Sequence, residues 1–387
     1  MTEAKAVPAL LRALNERAVL DAVRSDGPIS RAEVARRTGI SRPTVSLVLR
    51  SLLEDGLVRE AAHDPDRPHY GAVYYESEPE VALVLGVDFG ARAVRTALCD
   101  LAGKVRAREE IRSRGSVEER ITALAGSVRS LLRTAKVPGD LLENAVVALP
   151  AVVSPTDGRV SAPDLPGLEA ADLREQLEDA LRVPVALEND VNLAAVAEQR
   201  RGVARDVADF AFLLVGAGLG AAVMLDRKLH RGHNGNAGEL DAVRNGRVDD
   251  VDPCAASLSQ LAAELAAKRE TVLEQPFEVR ELFAAAEDGD AVGAAVVEEA
   301  ARRIALHVLP LAATLDPPLV VLGGSVGANP ALLEPVRRHL DDWLPFPAPR
   351  IEVSALGEAA VLEGALSAGV DAALERVFQR RARRVAS

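Results

Sequence analysis

The stretch ISRAEVARRTGISRPTVSLVLRSLL, residues 29–53, decides how the amino-terminal part of this chain is read. It divides into two short helix-forming segments joined by Thr38-Gly39-Ile40. Ser30 and Glu33 form an S-x-x-E capping box, which satisfies free amides at a helix start. Ser41 is a good N-cap for the second helix, and Pro43 is tolerated in its first turn, where no amide hydrogen is needed. Val45, Val48, Leu49 and Leu52 recur at i, i+3, i+4 and i+7 and define a buried face. Ser41, Arg42, Thr44, Ser46, Leu47 and Arg50 lie off that face, where a recognition helix meets the major groove. Arginine holds guanine through two hydrogen bonds, Ser and Thr serve phosphate or base, and an exposed Leu47 packs on a thymine methyl. Arg31, opening the first of the two helices, joins these candidate DNA contacts. The bland alternative is a solvated amphipathic helix; the two helices, the turn and the caps together favour a helix-turn-helix.

Outward from this stretch, Leu10 to Arg24 has aliphatics near helical spacing and is stopped by Asp26-Gly27-Pro28. Downstream, Leu57 to Glu60 and Ala72 to Tyr75 read as two strands around a polar tip, His63 to Pro68. That is a winged helix, with Arg59, Arg67 and His69 placed to meet the backbone or minor groove. The head is expected over residues 1–78, with Ser77 to Glu80 as the joint.

A chain of 387 residues is too long for one ordinary domain. Hydrophobic residues make up 48% and charged residues 27%, so a soluble globular protein is expected, and with aromatics at 3% its core must be aliphatic. No run of about 18 apolar residues exists, and the start of the chain is charged throughout. Neither a membrane span nor a signal peptide is expected. Cys99 and Cys254 stand far apart without a CxxC pair, which fits a reducing cytoplasm. The net charge of −12 is uneven: residues 1–70 carry 11 Lys/Arg against 10 Asp/Glu, a balance of +1, and the remainder carries −13. Only the head is fit to approach phosphates, and non-specific DNA binding should be weak and salt-sensitive.

In the body, Val81 to Asp88, Ala93 to Asp100 and Lys104 to Ile111 read as strands, followed by a helix from Val117 to Leu132 and a strand from Ala145 to Leu149. Strand, Gly turn, strand, tight turn and strand recur at Phe210 to Val215, Ala221 to Leu225 and Lys228-Leu229. The repetition suggests two related α/β subdomains facing each other across a cleft.

The motifs carry a resemblance. DFG (88–90), ALPAVVSPTDGRVSAPDLPG (148–167), ALENDVNLAA (186–195), GAGLGAAV (216–223), LHRGHNGNAGEL (229–240), VVLGGSV (320–326) and ALGEAAVLEGAL (355–366) follow one another in order. Behind a winged-helix head, they resemble the regulator branch of the ROK family (repressors, open reading frames and sugar kinases). The resemblance implies an α/β, two-subdomain actin-like ATPase fold over residues 79–387. Subdomain 1 would span about 81–205 plus C-terminal helices about 357–387, and subdomain 2 about 206–356. A helix from Leu362 to Val377 would return to pack on the first subdomain.

What the motifs retain separates regulator from enzyme. Family kinases use a D-x-G-x-T loop whose hydroxyl approaches ATP phosphates; here Arg92 stands at the hydroxyl position. The second phosphate loop usually reads G-T-G, and Ala217 replaces its Thr. The resemblance therefore implies lost ATP binding and no enzyme activity. It also places Asp190 where the kinases keep the base for a sugar hydroxyl, with Asn189 beside it. The same pair suits the capping of a helix starting near Val191. Glu239 holds the family's G-E position, and Asp164 replaces the Asn of A-P-N-L-P-G. The family's zinc-binding histidine would fall at Ala242, and its C-x-C-G-x-x-G-C-x-E segment is reduced to Cys254. A tetrahedral zinc needs about four donors, so no metal and no cofactor is expected. His230 and His233 read as an exposed loop.

The expected function is a cytoplasmic transcriptional regulator of repressor type. It would bind a double-stranded operator as a homodimer or homotetramer, with Asp164, Asn189, Asp190 and Glu239 holding a sugar-class effector. The alternatives are an ATP-dependent sugar kinase with Asp190 as base, and a regulator whose degenerate sugar site answers to another metabolite or a protein partner.

Overall fold

Helix α1 (Glu3–Asp26) opens the head and closes its stripe of Val19, Leu20 and Val23 on α2 (Arg31–Thr38) and α3 (Arg42–Glu54). The computed structural model describes residues 3–62, 72–90, 93–112, 115–162, 167–169, 172–240 and 252–386. Both later helices start at the serines that the sequence marks. Ser30 accepts from the Glu33 amide while Glu33 accepts from the Ser30 amide, and Ser41 accepts from the Thr44 amide. Val45, Val48, Leu49 and Leu52 are buried as the spacing requires. Helix α1 starts seven residues before Leu10, through Glu, Ala and Lys, which favour helix without an apolar stripe.

The wing differs in detail from its expected form. Strands β1 (Ile29–Ser30), β2 (Val58–Glu60) and β3 (Tyr74–Ser77) form an antiparallel sheet in the order β1-β3-β2. A strand of two residues has no periodicity to read; β1 exists because β3 offers it a partner. Strand β3 begins at Tyr74 rather than Ala72, and the tip with Arg67 and His69 lies outside the described residues.

The body is built twice on one plan. Its first half runs β4 (Leu83–Phe89), β5 (Ala93–Asp100), β6 (Val105–Arg112), α4 (Val117–Ala135) and β7 (Leu142–Leu149). The hairpin β8 (Val152–Val153) and β9 (Val160–Ser161), α5 (Leu173–Leu181), β10 (Val185–Asn189) and α6 (Asp190–Arg201) follow. The second half begins with β11 (Phe210–Val215), β12 (Leu219–Leu225), β13 (Lys228–His230), α7 (Ala255–Ala266), α8 (Val279–Glu287) and α9 (Ala291–Leu315). It continues through β14 (Leu319–Gly323), the short α10 (Gly324–Gly327), α11 (Leu333–Trp343) and β15 (Arg350–Val353).

The two five-stranded sheets have orders β10-β7-β4-β5-β6 and β13-β12-β11-β14-β15. In each, a three-stranded antiparallel meander is extended by two parallel strands. The strands β4, β7, β11 and β14 are buried along almost their whole length, which is why they read as continuous apolar runs rather than alternation.

After β15 the chain crosses back into α12 (Ala360–Ala386), which packs on the first sheet as expected and extends past Leu362 and Val377 at both ends. Gly364 lets α12 lie directly against α6: a Cβ there would collide with the Leu193 carbonyl. Arg201 pairs with Glu363 at 2.7 Å, Arg200 pairs with Asp371, and the buried Asn144 amide donates to the Gly369 carbonyl at 3.1 Å. The other side of α12 completes the head. Leu366, Val370, Leu374 and Phe378 share one apolar core with Val19, Leu20, Val23 and Tyr75. Arg17 pairs with Glu375 at 3.1 Å, and Arg24 donates to the Leu101 carbonyl at 2.6 Å. The head is therefore packed on the first subdomain and not merely tethered to it.

Where the chain returns from the second sheet, Glu198 of α6 is fully buried and acts as its anchor. One carboxylate oxygen accepts from the Val203 amide at 3.0 Å, and the other accepts from the Ser354 hydroxyl and the Leu356 amide. Glu198→Ala takes this acceptor from the Val203 amide and the buried Ser354 hydroxyl and should lower stability by about 1–3 kcal/mol, read from urea denaturation near neutral pH.

Candidate functional site

Two surfaces are candidates: the outer face of α3 and the cleft between the subdomains. On α3, Ser41, Arg42, Leu47 and Arg50 are exposed and Thr44 and Ser46 half-buried. Leu47 is 64% exposed, a large apolar side chain that nothing in the head covers. The hydroxyls of Ser41 and Thr44 bond each other at 2.8 Å, so part of their capacity is spent on the helix cap. Several basic residues of the head have internal partners. Arg31 donates to the Tyr75 hydroxyl at 2.6 Å and lies over its ring, Arg37 pairs with Asp26, and Arg59 pairs with Glu76 and Glu78. Arg42 and Arg50 form no hydrogen bond or ion pair among the described residues, so their guanidinium groups are available to an outside partner. Arg31 and Arg59 are the weaker candidates, because an outside phosphate must compete with those internal contacts.

The cleft is built at the carboxyl ends of parallel strands, where open α/β sheets bind ligands. Strand β4 ends at Asp88-Phe89, β10 at Asn189, and β11 at the Gly216–Gly218 turn. Asn189 caps α6: its carbonyl oxygen accepts from the Asn192 amide at 3.1 Å, and its NH2 donates to the Ala151 carbonyl at 3.1 Å. The capping reading of Asn189 is thus observed, and little of its polarity faces the cleft. Asp190 accepts from the Val191 amide at 2.8 Å. Burial, then the nearby charges of Asp88 and Glu239, push its carboxyl up to about 7 despite that bond. Burial also raises Glu239. Asp164, Arg92 and Ala242 lie outside the described residues.

Residues that sequence reading did not single out complete the surroundings. Arg95 faces Asp88 across the β4–β5 ladder and pairs with it at 3.2 Å, with Glu110 at 3.2 Å and with Glu358 at 3.9 Å. Burial raises the Asp88 carboxyl, and Arg95 opposes that shift. Behind Asn189, Glu188 accepts from the Asn189 amide at 3.0 Å and the Asn192 side chain at 2.9 Å, and pairs with Arg231 at 2.6 Å. The pair was readable only as types inside the END and R-G-x-x-G motifs; its contact needs both subdomains. Arg95 carried no signal without the strand register.

The family's usual groups can be tested against these residues. Ala217 is exposed in the β11–β12 turn and offers no hydroxyl to a phosphate, and the Asp88 carboxylate already has a guanidinium on it. Among the described residues no group of three His, Cys, Asp or Glu is placed to hold a metal ion. Cys254 is buried at the start of α7. That end of α7 is held instead by the buried Arg303, which donates to the Asp252 carbonyl and the Ser257 hydroxyl, both at 2.9 Å, and to Glu299 at 2.8 Å. Among the described residues none makes a zinc cluster, and Ala217 lacks the hydroxyl of the family's phosphate grip.

Among known proteins, the winged helix-turn-helix DNA-binding model matches residues 12–59 and the ROK family model matches residues 84–369. The chain is 25% identical over 383 residues to the xylose repressor of Caldicellulosiruptor bescii, covering 92% of this chain and 96% of that one. It is 25% identical over 344 residues to the DNA-binding transcriptional dual regulator NagC of Escherichia coli, covering 84% of each. Among solved structures, a ROK family transcriptional regulator homologous to the E. coli MLC protein superposes with a TM-score of 0.77 at 21% identity, over 95% of this chain and 99% of that one. The ROK hexokinase of Thermus thermophilus is 30% identical, with a TM-score of 0.58, over 73% of this chain and 96% of that one. No helix among the described residues is long and apolar enough to cross a membrane. With a ROK model spanning most of its length behind a winged helix-turn-helix head, the chain belongs to the ROK family.

Proposed function

We propose that this protein is a DNA-binding transcriptional regulator of repressor type, with a body that takes a sugar-class effector and no longer transfers phosphate. The observation that carries the reading is the state of α3: two exposed arginines with no partner among the described residues and an uncovered leucine, on a helix held by its cap and core. The whole-length likeness to the xylose repressor and to NagC supports a sugar or sugar derivative as effector. Asp190 and Glu239 are the groups best suited to accept sugar hydroxyl protons, with Asp164 as a third. The protein would act as a symmetric dimer or tetramer, its heads on half-sites about one helical turn apart or more.

Effector control follows from packing. Helix α6 begins at the cleft residues Asn189 and Asp190, α12 lies on α6, and the head shares its core with α12. An effector that prefers one closure of the subdomains by tenfold supplies about 1.4 kcal/mol to that shift.

The competing reading is a sugar kinase. In its favour, a carboxylate titrating near neutral pH is suited to general-base work. Against it stand Ala217 and the Arg95 contact on Asp88. Thermal shift and turnover assays with Mg-ATP, with and without a panel of xylose, glucose and amino sugars, separate the two. The expected result is a shift with one sugar, none with Mg-ATP and no ATP hydrolysis. Sugar-dependent turnover lost in Asp190→Asn would reverse the assignment, and silence of the whole panel would point to another metabolite or a protein partner.

Genome-wide selection of bound fragments should yield a two-fold symmetric site. On that site Arg50→Ala should lose about 1–3 kcal/mol of affinity while binding to unrelated sequence barely changes, as measured by fluorescence anisotropy at fixed salt.

Asp190 also predicts a pH dependence. Its folded pKa lies above its unfolded value, so the folded state holds a proton that the unfolded state has released between about pH 4 and pH 7, and stability falls across that window as pH rises. Asp190→Asn removes the penalty. It should be the more stable protein above about pH 7 by at least about 1 kcal/mol, with the difference fading toward pH 4, in urea titrations.

A further inference from the structure

A hollow of about 470 Å³, whose lining includes none of Asp88, Asp190 and Glu239, opens against the edge strand β10. The hairpin β8–β9, α6, α12 and the residues following β13 wall it, so both subdomains contribute. Its floor is apolar, from Val146, Leu187 and Leu193, and the alanines Ala186, Ala368 and Ala372 leave the space that larger side chains would fill. A volume of roughly 300–1,000 Å³ with an apolar floor and a few placed polar groups is the usual form of a small-molecule site.

The rim has a definite charge. Arg174, in the first turn of α5, reaches over the hairpin turn at Gly158, where φ is 69° and a Cβ would collide with its guanidinium. Among the described residues it forms no hydrogen bond or ion pair. The other charges are matched. Arg231 directs Nε and Nη2 to one oxygen of Glu188, at 2.7 and 2.6 Å, and Asp157 accepts from the Arg159 amide at 3.1 Å with the Arg159 guanidinium 3.8 Å away. Among the described residues one guanidinium is thus left without a partner over an apolar floor, with the hydroxyls of Ser154 and Thr156 also lining the hollow, in a chain of net charge −12.

We propose that this hollow is a second ligand site, for a small organic anion that sets a phosphate or carboxylate on Arg174 and an apolar face on the alanine-lined floor. It does not depend on the sugar reading of the central cleft. Its consequence reaches that cleft nevertheless. Arg231 holds Glu188, Glu188 accepts from the Asn189 amide, and Arg231 begins the loop that carries Glu239. An anion drawing on the unused Arg231 N–H groups would bear on the start of α6 and on Glu239 together.

Isothermal titration of the full chain tests this with four probes: glucose 6-phosphate, gluconate, glucose and inorganic phosphate. The expected result is binding of glucose 6-phosphate or gluconate, the successful probe telling phosphate from carboxylate. Arg174→Gln should weaken it by about tenfold or more, the loss of one charge-assisted contact. Ala372→Phe, which fills the floor, should abolish it without lowering the thermal midpoint. Asp190→Asn, in the central cleft, should leave it unchanged. Binding that falls with Asp190→Asn and ignores Arg174→Gln places the anion in the central cleft and overturns the proposal. No binding of either organic anion, or inorganic phosphate binding as tightly as they do, overturns it as well. None of these outcomes alters the operator test of the proposed function, so the two stand or fall separately.

Discussion

The burial of α12 is the contact on which the rest of the structure depends. This helix is the last element of the chain, yet it is packed by α6, by the first sheet and by the head together. Leu366, Val370, Leu374 and Phe378 are almost fully buried, and each such side chain contributes roughly 1.5–3 kcal/mol on leaving water. Gly364 fixes how closely α12 approaches α6, and Asn144 ties it to β7. The small winged helix thereby extends its core onto α12.

That arrangement has a mechanical meaning for a regulator. A head on a flexible tether would report nothing about the body, since a linker transmits little orientation. Here the route from cleft to DNA face is made of packed helices: α6 starting at Asp190, α12 lying on it, and α1 sharing the core of α12. The second subdomain joins this route through Glu198, which holds the segment leading from β15 into α12. On the proposed reading, closure of the subdomains would act along these packed helices.

At two places in the body a guanidinium fills a polar position from within the protein. Asp88 keeps its place at the end of β4, but Arg95 on the neighbouring strand supplies the positive charge from within the protein. Arg303 likewise secures the start of α7 with hydrogen bonds to a carbonyl, a hydroxyl and a carboxylate. In both places a guanidinium provides a fixed fork of donors, geometry that a lysine would not reproduce.

Local patterns were enough to read the head and the doubled plan of the body. Capping boxes, turn residues and the i, i+3, i+4 stripe of α3 act over a few residues, so Ser30, Ser41 and Val45 to Leu52 declared themselves. Almost fully buried strands such as Phe210 to Val215 did so by their continuous apolar runs. The motifs likewise marked Asn189, Asp190 and Glu239 as a set. Tertiary structure alone decided what those residues are free to do. It spent Asn189 on a helix cap, raised Asp190 through burial beside Asp88 and Glu239, and paired Arg31 and Arg59 while leaving Arg42 and Arg50 without a partner among the described residues. It also brought Glu188 to Arg231 and the head to α12, contacts between residues 43 to more than 350 positions apart. Sequence pattern records which face of an element must be buried; which partner buries it, and which charge then has no neighbour, depends on distances that exist only after the chain has folded.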